Sequence, residues 1–494
     1  MSATHRTKPV VLTIAGSDCA GMAGVQMDIR TLAAMGVHGA AAITANTAQN
    51  NREVLAIQPV DSAVLAEQLR AVESLPIAAI KVGLIPGGAQ LATIRAFVEN
   101  SSVPLVYDPV LAGSCGDALT ESDLTVALKS ELLPLCTLLT PNRQEAEKLS
   151  GLTIGNSDDV EIAARALLAT GVKAVLLKGG HGKGPLSQDF FCSEEQTFWL
   201  TSPRLTTDHS RGTGCALSSA IAAALALGYA LADAVVIGKM AINQGLRQGY
   251  GIADDGGPVA ISHFPNQQYD LPLLTRSANV DPDTAAFPPC ADTPLGLYPI
   301  VDRAAWLARL LPTGISTAQL RVKDLEGKAL REEIAEAIEI GRRYNCRLFI
   351  NDHWQLAEEL GAYGVHLGQE DLDDADIEAI HRAGLRLGIS SHCHYEVARA
   401  HSFNPSYIAC GPIYHTTTKD MPWTPQGPAG LSYWQNMLDY PLVAIGGINQ
   451  ERMPSVAATG VSGVAMITAI TQADDPEQTC REFHALLAAA IKPE

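Results

Sequence analysis

The chain has 494 residues, which is too long for one ordinary domain of about 100–200 residues. Division by about 150 suggests close to three domains, although large α/β units would lower that number. The composition is 47% hydrophobic, 18% charged and 5% aromatic, which excludes disorder, collagen and coiled coil as descriptions of the whole chain. Its many glycines and alanines favour α/β packing.

The charge balance restricts the class of partner. The chain carries 35 basic and 53 acidic residues, which gives a net charge of −18. An acidic surface repels phosphate backbones and anionic headgroups, so we expect neither a nucleic acid nor a membrane as partner. Small phosphorylated ligands remain compatible, because they need only a local positive pocket.

Cysteine usage and the apolar stretches indicate a cytoplasmic protein. The ten cysteines occur singly, as expected for reduced thiols. The N-terminal run VVLTIA is followed by GSD and not by a cleavage site, so we interpret it as a first strand. Residues 212–232 carry no charge but are mostly small, which favours a buried helix over a membrane span.

A proline-containing stretch without periodicity, residues 271–294, is typical of an extended linker. It separates residues 1–270 from residues 295–494. In the first part, apolar runs such as VPLVYDP and KAVLLKGG end in polar or glycine-rich turns and alternate with helical patterns. This alternation predicts a parallel sheet covered on both faces, with ligands at the carboxyl ends of its strands.

The second part contains eight apolar runs, each followed by a plausible helix. They are GLYPIVD, TAQLRVKD, RLFIND, GVHLGQED, RLGISSH, YIACGPIY, LVAIGGI and GVAMITAI. This number and spacing predict a (β/α)8 barrel of the TIM type, whose polar strand ends lie on one rim. His366 lies within an apolar run, and we interpret it as a packed core histidine.

The residues on this rim point to chemistry on a diphosphate. Asp352 and Asp371 supply carboxylate oxygens suited to Mg²⁺. Cations and hydroxyl donors come from Arg321, Lys323, Lys419, Ser390, Thr416 and Thr418. The turn at 446–447 and the strand end at 467–468 occupy the usual phosphate-binding position of such barrels. One metal with several cations favours a pyrophosphate leaving group.

The motifs QLRVK, FIND, VHLGQED, GISSH, TTTK and AIGGI, in this order, resemble thiamine-phosphate synthase. The resemblance implies condensation of hydroxymethylpyrimidine diphosphate with hydroxyethyl-methylthiazole phosphate, which gives thiamine phosphate and pyrophosphate. It also implies the following ligand-binding residues: Gln319, Arg321, Lys323, Asn351, Asp352, Asp371, Ser390, Thr416, Thr418 and Lys419 for the diphosphate and Mg²⁺, and Gly447, Ile467 and Thr468 for the thiazole phosphate. Lys419 is also expected to act in catalysis. His415 and Thr468 depart from the family's usual Pro and Ser.

The first part carries RGTGC, from Arg211 to Cys215, at the start of a helix. Backbone N–H groups and the helix dipole attract an anion at such a position. Asn142 and Glu145 lie on one helical turn and suit Mg²⁺-bound water and nucleotide phosphates, while Asp108 and Lys178 stand at strand ends. A lysine and a backbone anion site are the parts that phosphoryl transfer from a magnesium nucleotide requires.

The motifs LTIAGSD, AGVQMD, ITANTAQN, KVGL, TPNRQEAEKL, LLKGGH and GTGC resemble hydroxymethylpyrimidine/phosphomethylpyrimidine kinase. This family belongs to the ribokinase-like superfamily, so the resemblance implies a three-layer α/β sandwich and two successive ATP-dependent phosphorylations. It places Gly16, Asp28, Gln49 and Val110 in the pyrimidine pocket. Lys178 would stabilise the transferred phosphate, and Cys215 would be the base, with its thiol pKa lowered by the helix start.

Three residues depart from the kinase pattern: Ala20 and Met22 in the loop after GSD, and Arg211 in place of His. They motivate an alternative in which the first domain is a non-catalytic ligand-binding module or resembles pyridoxal kinase. The main expectation is a bifunctional enzyme of thiamine biosynthesis, because the kinase product is the substrate of the synthase. We expect small-molecule substrates, ATP as co-substrate and Mg²⁺, and a homo-oligomer is compatible with this expectation.

Overall fold

The computed structural model describes residues 7–111, 124–180, 182, 184–252, 256–282, 284–290, 292–416 and 423–490. The chain forms two compact units. The first comprises Met1–Pro265 and Tyr269–Pro282, and the second comprises Asn266–Gln268 and Asp283–Glu494.

The first unit is built on a ten-stranded sheet. Its strands are β1 (Val10–Asp18), β2 (His38–Gln49), β3 (Val54–Pro59), β4 (Ile77–Val82), β5 (Leu105–Tyr107), β6 (Leu138–Leu139), β7 (Ala174–Leu177), β8 (Leu186–Ser193), β9 (Thr197–Pro203) and β10 (Leu273–Thr275). Their spatial order is β10-β9-β8-β7-β6-β5-β4-β1-β2-β3. The six strands from β7 to β2 are parallel, and β3 at one edge and β8, β9 and β10 at the other pair antiparallel. The predicted parallel sheet is therefore confirmed as the centre of a larger mixed sheet.

Helices cover this sheet. They are α1 (Gly24–Ala34), α2 (Ser62–Val72), α3 (Gly88–Val98), α4 (Leu124–Ala127), α5 (Arg143–Ser150), α6 (Ser157–Leu168), α7 (Thr213–Ala226) and α8 (Leu231–Arg247). Helix α7 packs against α1, α8 and strands β1, β4 and β5, while α2 packs against α3 and α5 against α6. Parallel strands joined through helices require such layers, so the unit is the expected three-layer α/β sandwich.

Helix α7 accounts for the uncharged stretch seen in the sequence. Residues 216–224 on this helix are all buried. Except for Leu217 and Ile221 these side chains are small, which lets α7 lie close to the sheet on one side and to its neighbouring helices on the other. The buried-helix prediction is confirmed. In the part of the chain that the structure describes, no helix is long and apolar enough to cross a membrane.

Part of the predicted linker is ordered as a strand. Residues Leu273–Thr275 pair antiparallel with β9, in register with Thr201, Leu200 and Trp199, and Leu274 is buried. A strand of only three residues beside a proline shows no alternation over the four to eight residues that a sequence pattern needs. The division between the two units accordingly falls closer to residue 282 than to residue 270.

The second unit is a closed barrel of eight parallel strands in sequential order. The strands are β11 (Gly296–Val301), β12 (Thr317–Leu320), β13 (Arg347–Asn351), β14 (Gly364–Leu367), β15 (Arg386–Ser391), β16 (Tyr407–Cys410), β17 (Leu442–Ile445) and β18 (Gly463–Met466). The helices are α9 (Ala304–Leu310), α10 (Gly327–Arg343), α11 (Trp354–Glu359), α12 (Ile377–Arg382), α13 (His394–His401), α14 (Gly427–Met437), α15 (Met453–Ala457), α16 (Thr468–Thr471) and α17 (Pro476–Ala490). All eight predicted strands are confirmed.

Large aromatic side chains fill the interior of the barrel. The rings of Tyr298, Phe349 and Tyr407 contact one another with centroids 5.1 to 6.1 Å apart. Gly388 leaves room for Tyr407, because a Cβ atom at residue 388 would lie 2.1 Å from the tyrosine ring. The barrel is therefore a packed core, and ligands are left to its rim.

Candidate active sites

The loop after β1 is held by one carboxylate. Asp18 accepts hydrogen bonds from the backbone N–H groups of Ala20, Met22 and Ala23 at 2.9, 2.9 and 2.8 Å. Met22 is buried, and its carbonyl oxygen lies 2.3 Å from where a Cβ atom would stand at Gly212. The backbone of Met22 therefore lies against the start of α7.

Three separate segments meet at this helix start. Gly212 adopts the left-handed conformation at φ 79°, and α7 begins at the next residue. A Cβ atom at Gly214 would lie 3.3 Å from both Asp108 Oδ2 and Lys178 Nζ. These two side chains form an ion pair, with Lys178 Nζ 2.7 Å from Asp108 Oδ1. The glycine turn thus lies directly against a fixed cation.

The charge on Lys178 is retained despite its enclosure. Burial opposes the ammonium charge, but the carboxylates of Asp108 and Glu145 outweigh that effect and raise the pKa of Lys178. The lysine is therefore a permanent positive charge beside the glycine turn.

Asn142 and Glu145 form a capping box at the start of α5. The Asn142 side chain accepts from the Glu145 N–H at 2.9 Å, and Glu145 Oε2 accepts from the Asn142 N–H at 2.7 Å. Burial, with a further contribution from Asp108, raises the pKa of Glu145 to about 7, although Lys178 opposes the shift. The structure thus gathers Asp108, Asn142, Glu145 and Lys178 at adjacent strand ends.

Cys215 differs from expectation in its acidity. Burial raises the pKa of its thiol to about 11, and the nearby Lys81 ammonium and Gly24 N–H compensate only in part. A helix start by itself lowers the pKa of a thiol, but here burial and the carboxylates of Asp28 and Asp108 raise it. The prediction of a lowered pKa is therefore wrong for this structure.

Asp28 lies in a buried network. Its carboxylate is within 2.8 Å of Lys81 Nζ and accepts from Thr13 Oγ1 at 2.6 Å and Ser219 Oγ at 2.9 Å. Both partners of the ion pair have fully buried side chains. The network ties β1, α1, β4 and α7 together. Sequence reasoning missed Lys81, although a lysine inside the apolar strand β4 signals a buried partner.

The other residues assigned to the pyrimidine pocket surround Leu84. Val110 packs in a small apolar cluster with Leu84 and Val54. A Cβ atom at Gly16 would lie 2.9 Å from Leu84 Cδ2, and Gln49 pairs with Val54 across β2 and β3. Gly16, Gln49 and Val110 therefore share one region, whereas the Asp28 carboxylate is turned into its own network.

Arg211 bridges the start of α7 and the end of β2. Its Nη2 donates to the Asn50 carbonyl oxygen at 3.1 Å, directly after Gln49. Its backbone also pairs with Gly257 and Val259. The arginine thus connects the glycine turn with the region of Leu84.

In the barrel, Lys323, Asp352 and Asp371 meet on the rim. Lys323 Nζ donates to Asp352 Oδ2, and the Asp352 backbone has a positive φ of 61°. Burial and the adjacent Asp352 carboxylate raise the pKa of Asp371. Two carboxylates in contact form a hard oxygen set that fits one divalent cation. No cluster of three or more His, Cys, Asp or Glu residues suited to a metal occurs among the residues that the structure describes.

The remaining predicted residues of the barrel are distributed along the rim. Arg321 and Asn351 lie at the ends of β12 and β13, and Thr416 lies after β16. Thr418 and Lys419 lie outside the described residues.

The glycine turn after β17 packs closely against the segment after β16. Gly447 has φ 64°, and a Cβ atom there would lie 2.4 Å from the His415 carbonyl oxygen. Ile467 and Thr468 start α16 at the end of the neighbouring strand β18. Gly447, Ile467 and Thr468 thus come from adjacent strand ends.

Two residues at the rim are connected through the barrel interior. Ser390 Oγ lies 2.8 Å from His366 Nε2, and His366 Nδ1 lies 2.7 Å from the Tyr407 hydroxyl. Tyr298 continues the connection to Gln319. Burial lowers the pKa of His366 to about 4, so the imidazole is neutral at physiological pH. Sequence reasoning identified the histidine as a core residue but missed both tyrosines.

Comparisons with known proteins give a separate family match for each of the two units. Residues 18–260 match the family model of phosphomethylpyrimidine kinase, and residues 297–470 match that of thiamine monophosphate synthase. Thiamine-phosphate synthase of Photorhabdus laumondii is 58% identical over 190 residues, which cover 38% of this chain and 88% of that protein.

Two solved structures resemble the first unit. Pyridoxal kinase of Staphylococcus aureus, in complex with ADP, shares 28% identity at a TM-score of 0.50, covering 55% of this chain and 98% of that chain. Phosphomethylpyrimidine kinase of Clostridium difficile shares 35% identity at a TM-score of 0.43, covering 48% and 98%. The family match over residues 18–260 does not favour a non-catalytic or pyridoxal-kinase-like first domain. The chain therefore belongs to the thiamine-phosphate synthase family and also carries a phosphomethylpyrimidine kinase domain, which makes it a bifunctional kinase and transferase of thiamine biosynthesis.

Proposed function

We propose that the two units use the rim residues described above for consecutive reactions. The first transfers phosphate from ATP to hydroxymethylpyrimidine and then to its monophosphate. The second condenses the resulting diphosphate with the thiazole phosphate. The observation that carries the kinase assignment is the contact of Gly214 with the Asp108–Lys178 ion pair, because it unites an anion-binding turn and a fixed cation.

In the kinase unit, Lys178 neutralises the phosphate in transfer, and the N–H groups of the 212–214 turn bind its oxygens. Asp108, Asn142 and Glu145 offer oxygens that suit Mg²⁺ and its water. Bound there, Mg²⁺ would neutralise charge on the nucleotide phosphates. Cys215 lies one residue from Gly214 and takes the proton of the substrate hydroxyl.

The pyrimidine binds beside Leu84, between Gly16, Val110 and Gln49. The Gln49 amide both donates and accepts hydrogen bonds, as the edge of an aminopyrimidine requires. Asp28 contributes from beneath this pocket: through Lys81 and Ser219 it fixes α7 and therefore the position of Cys215.

In the barrel, the bond between the pyrimidinyl-methyl carbon and the diphosphate oxygen breaks, and its electron pair leaves with pyrophosphate. The thiazole nitrogen then supplies the electron pair of the new carbon–nitrogen bond. The pyrimidine diphosphate is bound and oriented by Gln319, Arg321, Lys323, Asn351 and Ser390, together with Thr416, Thr418 and Lys419. Asp352 and Asp371 would hold Mg²⁺, which would stabilise the pyrophosphate charge when bound.

The thiazole phosphate binds at the adjacent strand ends formed by Gly447, Ile467 and Thr468. Backbone N–H groups at this position bind a phosphate without adding a charged side chain. The second substrate is thereby kept apart from the carboxylates of Asp352 and Asp371.

The partners in this proposal are small molecules, and the compartment is the cytoplasm. Nine cysteines among the described residues are free thiols, which suits a reducing compartment that also supplies ATP.

The test is a product-resolved assay of the full chain with hydroxymethylpyrimidine, thiazole phosphate and Mg-ATP. We expect thiamine phosphate to form. Lys178→Ala should lower phosphorylation by about 100-fold or more and leave condensation of supplied diphosphate unchanged, because it removes the charge beside the transferred phosphate. Asp352→Asn should lower the rate of condensation and leave the rate of phosphorylation unchanged.

Lys173→Ala is the matched control, since Lys173 is exposed just before β7. Equal kinase rates in Lys178→Ala and Lys173→Ala would reject the role of Lys178. Unaltered condensation in Asp352→Asn would reject the role of Asp352.

A further inference from the structure

A chain of hydrogen bonds crosses the interior of the barrel and joins two residues of the proposed synthase site. From Ser390 Oγ to His366 Nε2 the distance is 2.8 Å, and from His366 Nδ1 to the Tyr407 hydroxyl it is 2.7 Å. The Tyr407 and Tyr298 hydroxyls are 2.8 Å apart, and Gln319 Nε2 donates to Tyr298 at 3.4 Å. The three middle residues have no role in the function proposed above.

The middle of the chain is shielded from water. Tyr298, Tyr407 and His366 are 1%, 0% and 7% exposed. A buried hydroxyl or ring nitrogen without a partner is costly, so each proton in the chain is directed to the next residue. Their rings are also held by packing, since His366 stacks on Tyr407 and Tyr407 contacts Tyr298.

The amide of Gln319 sets the direction of this chain. An amide nitrogen can only donate, so the Tyr298 oxygen accepts from Gln319 and its own proton goes to Tyr407. The Tyr407 proton then goes to His366 Nδ1. A neutral imidazole has its single proton on the other nitrogen in that case, and Nε2–H donates to Ser390. One proton of the Gln319 amide, the two tyrosine protons and the His366 proton serve the four hydrogen bonds, so the Ser390 proton is left over.

We propose that Tyr298, Tyr407 and His366 are positioning residues of the synthase, which fix the Gln319 amide with its oxygen toward the substrate and leave the Ser390 hydroxyl as a donor. This inference rests on the assignment of Gln319 and Ser390 to the diphosphate site. Among the described residues, the Gln319 amide oxygen accepts no hydrogen bond, and the Ser390 hydroxyl contacts His366 alone.

The two ends are complementary to an aminopyrimidine diphosphate. The Gln319 oxygen accepts from the amino group of the pyrimidine, and the Ser390 proton is donated to an anionic oxygen or a ring nitrogen. If every hydrogen bond of the chain ran in the opposite direction, the Gln319 amide would present its N–H groups to the amino group of the pyrimidine. Ser390 would then donate its proton to His366 and have none for the ligand. The buried chain therefore selects the substrate through the orientation of groups at the rim.

The experiment measures condensation by the full chain with the pyrimidine diphosphate supplied directly. The variants are Tyr298→Phe, Tyr407→Phe and the double variant. Each single variant should raise the KM for the pyrimidine diphosphate about tenfold, which corresponds to one lost hydrogen bond, and leave the KM for thiazole phosphate within about twofold. Because either change interrupts the same chain, the double variant should be no worse than the worse single variant.

A second readout is the preference for the amino group. An analogue with methyl in place of that amino group keeps the ring and the diphosphate. The ratio of kcat/KM between substrate and analogue should fall about tenfold in Tyr298→Phe, because the Gln319 amide is then free to rotate. Loss of packing alone would lower kcat/KM for the substrate and for the analogue equally and leave their ratio unchanged.

Tyr440→Phe is the matched control. The Tyr440 hydroxyl also contacts a histidine, His401 Nδ1 at 2.8 Å, and donates to Asn404, but it precedes β17 and lies away from the strand ends that form the rim. This variant should keep both KM values and the preference for the amino group.

Additive losses in the double variant, or an unchanged KM and an unchanged preference in both single variants, would overturn the inference while the proposed function stands. If the unaltered chain forms no thiamine phosphate from supplied diphosphate, the proposed function itself fails, and the inference falls with it. The two failures are therefore distinguished by the activity of the unaltered chain.

Discussion

At the scale of single residues, Cys215 combines a proposed catalytic role with a thiol of unfavourably weak acidity. Burial raises the pKa of its thiol to about 11. At any pH well below this pKa, the thiolate fraction increases about tenfold for each unit by which the pH rises. If the thiolate is the base, kinase kcat should rise with pH between 7 and 9. Cys215→Ala should remove this rise and lower kcat by about 100- to 10,000-fold. Phosphorylation rates of both proteins across this pH range test the prediction.

Condensation of supplied diphosphate is the internal control for Cys215→Ala, because it takes place in the barrel and should not change. Parallel pH profiles with equal kcat in both proteins would show that the thiol is not the base. The role of the 212–214 turn in binding phosphate would be unaffected by that result.

The buried pair of Lys81 and Asp28 gives a prediction on stability. Lys81→Met leaves the Asp28 carboxylate buried without its cation, which should lower the free energy of unfolding by about 3–5 kcal/mol. Adding Asp28→Asn should recover part of the loss. Urea denaturation measures both effects.

The exposed pair of Arg95 and Glu99 supplies the comparison for Lys81 and Asp28, because its side chains are 49% and 40% exposed. Arg95→Met should lower the free energy of unfolding by less than about 1 kcal/mol. Equal losses in Lys81→Met and Arg95→Met would contradict the role given to burial.

The sequence predicted some of the candidate residues that the structure brings together, and others were missed for physical reasons. Asp108, Asn142 and Lys178 follow apolar strands, and parallel topology brings such strand ends together. Tyr298 and Tyr407 lie inside apolar strands, where tyrosine is as common for packing as for hydrogen bonding. The joint role proposed for them depends on a contact across 109 residues, which no local pattern contains.

At the scale of elements, the strands that sequence patterns revealed are those buried on both faces. Apart from β2, whose 12 residues mix buried and exposed positions, the parallel strands of both units are short and mostly apolar, as such burial requires. Strand β3 has no buried residue, and β10 has only three residues. Edge strands of this kind mix polar and apolar residues, so their pairing was visible only in the structure.

Contact between β15 and β16 leads to a prediction on packing. Gly388→Ala places a methyl group 2.1 Å from the Tyr407 ring, so the ring or one of the two strands must shift. We expect a loss of about 1–3 kcal/mol in the free energy of unfolding, which is typical of an overpacked core. The displaced tyrosine should also raise the KM for the pyrimidine diphosphate. Chemical denaturation and steady-state kinetics measure the two effects.

Gly88→Ala is the control for Gly388→Ala, because a Cβ atom at this first residue of α3 meets nothing within 4 Å. Its stability and its condensation kinetics should match those of the parent. A Gly388→Ala protein with parental stability would show that the barrel accommodates the methyl group and would contradict the argument.

At the scale of the whole molecule, length suggested about three domains, and the chain forms two large units. Eight strands closed into one barrel and ten strands in one sheet each use more residues than an average domain. The net charge of −18 describes the surface. The phosphorylated ligands are instead proposed to bind at local exceptions such as Lys178 and Lys323.

Buried histidines should make the barrel unit sensitive to acid. Burial lowers the pKa of His366, His394 and His401 to about 4, 3 and 4, whereas an unfolded histidine titrates near 6.5. Below pH 6.5 the unfolded chain therefore binds protons that the folded unit does not. Their stabilising contribution is complete above this pH and is lost as the pH falls toward the folded pKa values. Between pH 8 and pH 5, each histidine should therefore lower the free energy of unfolding by about 2 kcal/mol.

His394→Gln tests this prediction, because it removes one titrating group and keeps a polar side chain that can reach the Tyr433 hydroxyl. The loss of unfolding free energy between pH 8 and pH 5 should be about 2 kcal/mol smaller than in the parent. Four of the five tryptophans lie in this unit, so fluorescence during urea unfolding reports on it. His415→Gln is the control, since His415 is exposed and should leave the pH dependence unchanged. Equal pH dependence in His394→Gln and the parent would mean that the folded unit admits the proton, and burial would then not govern acid stability.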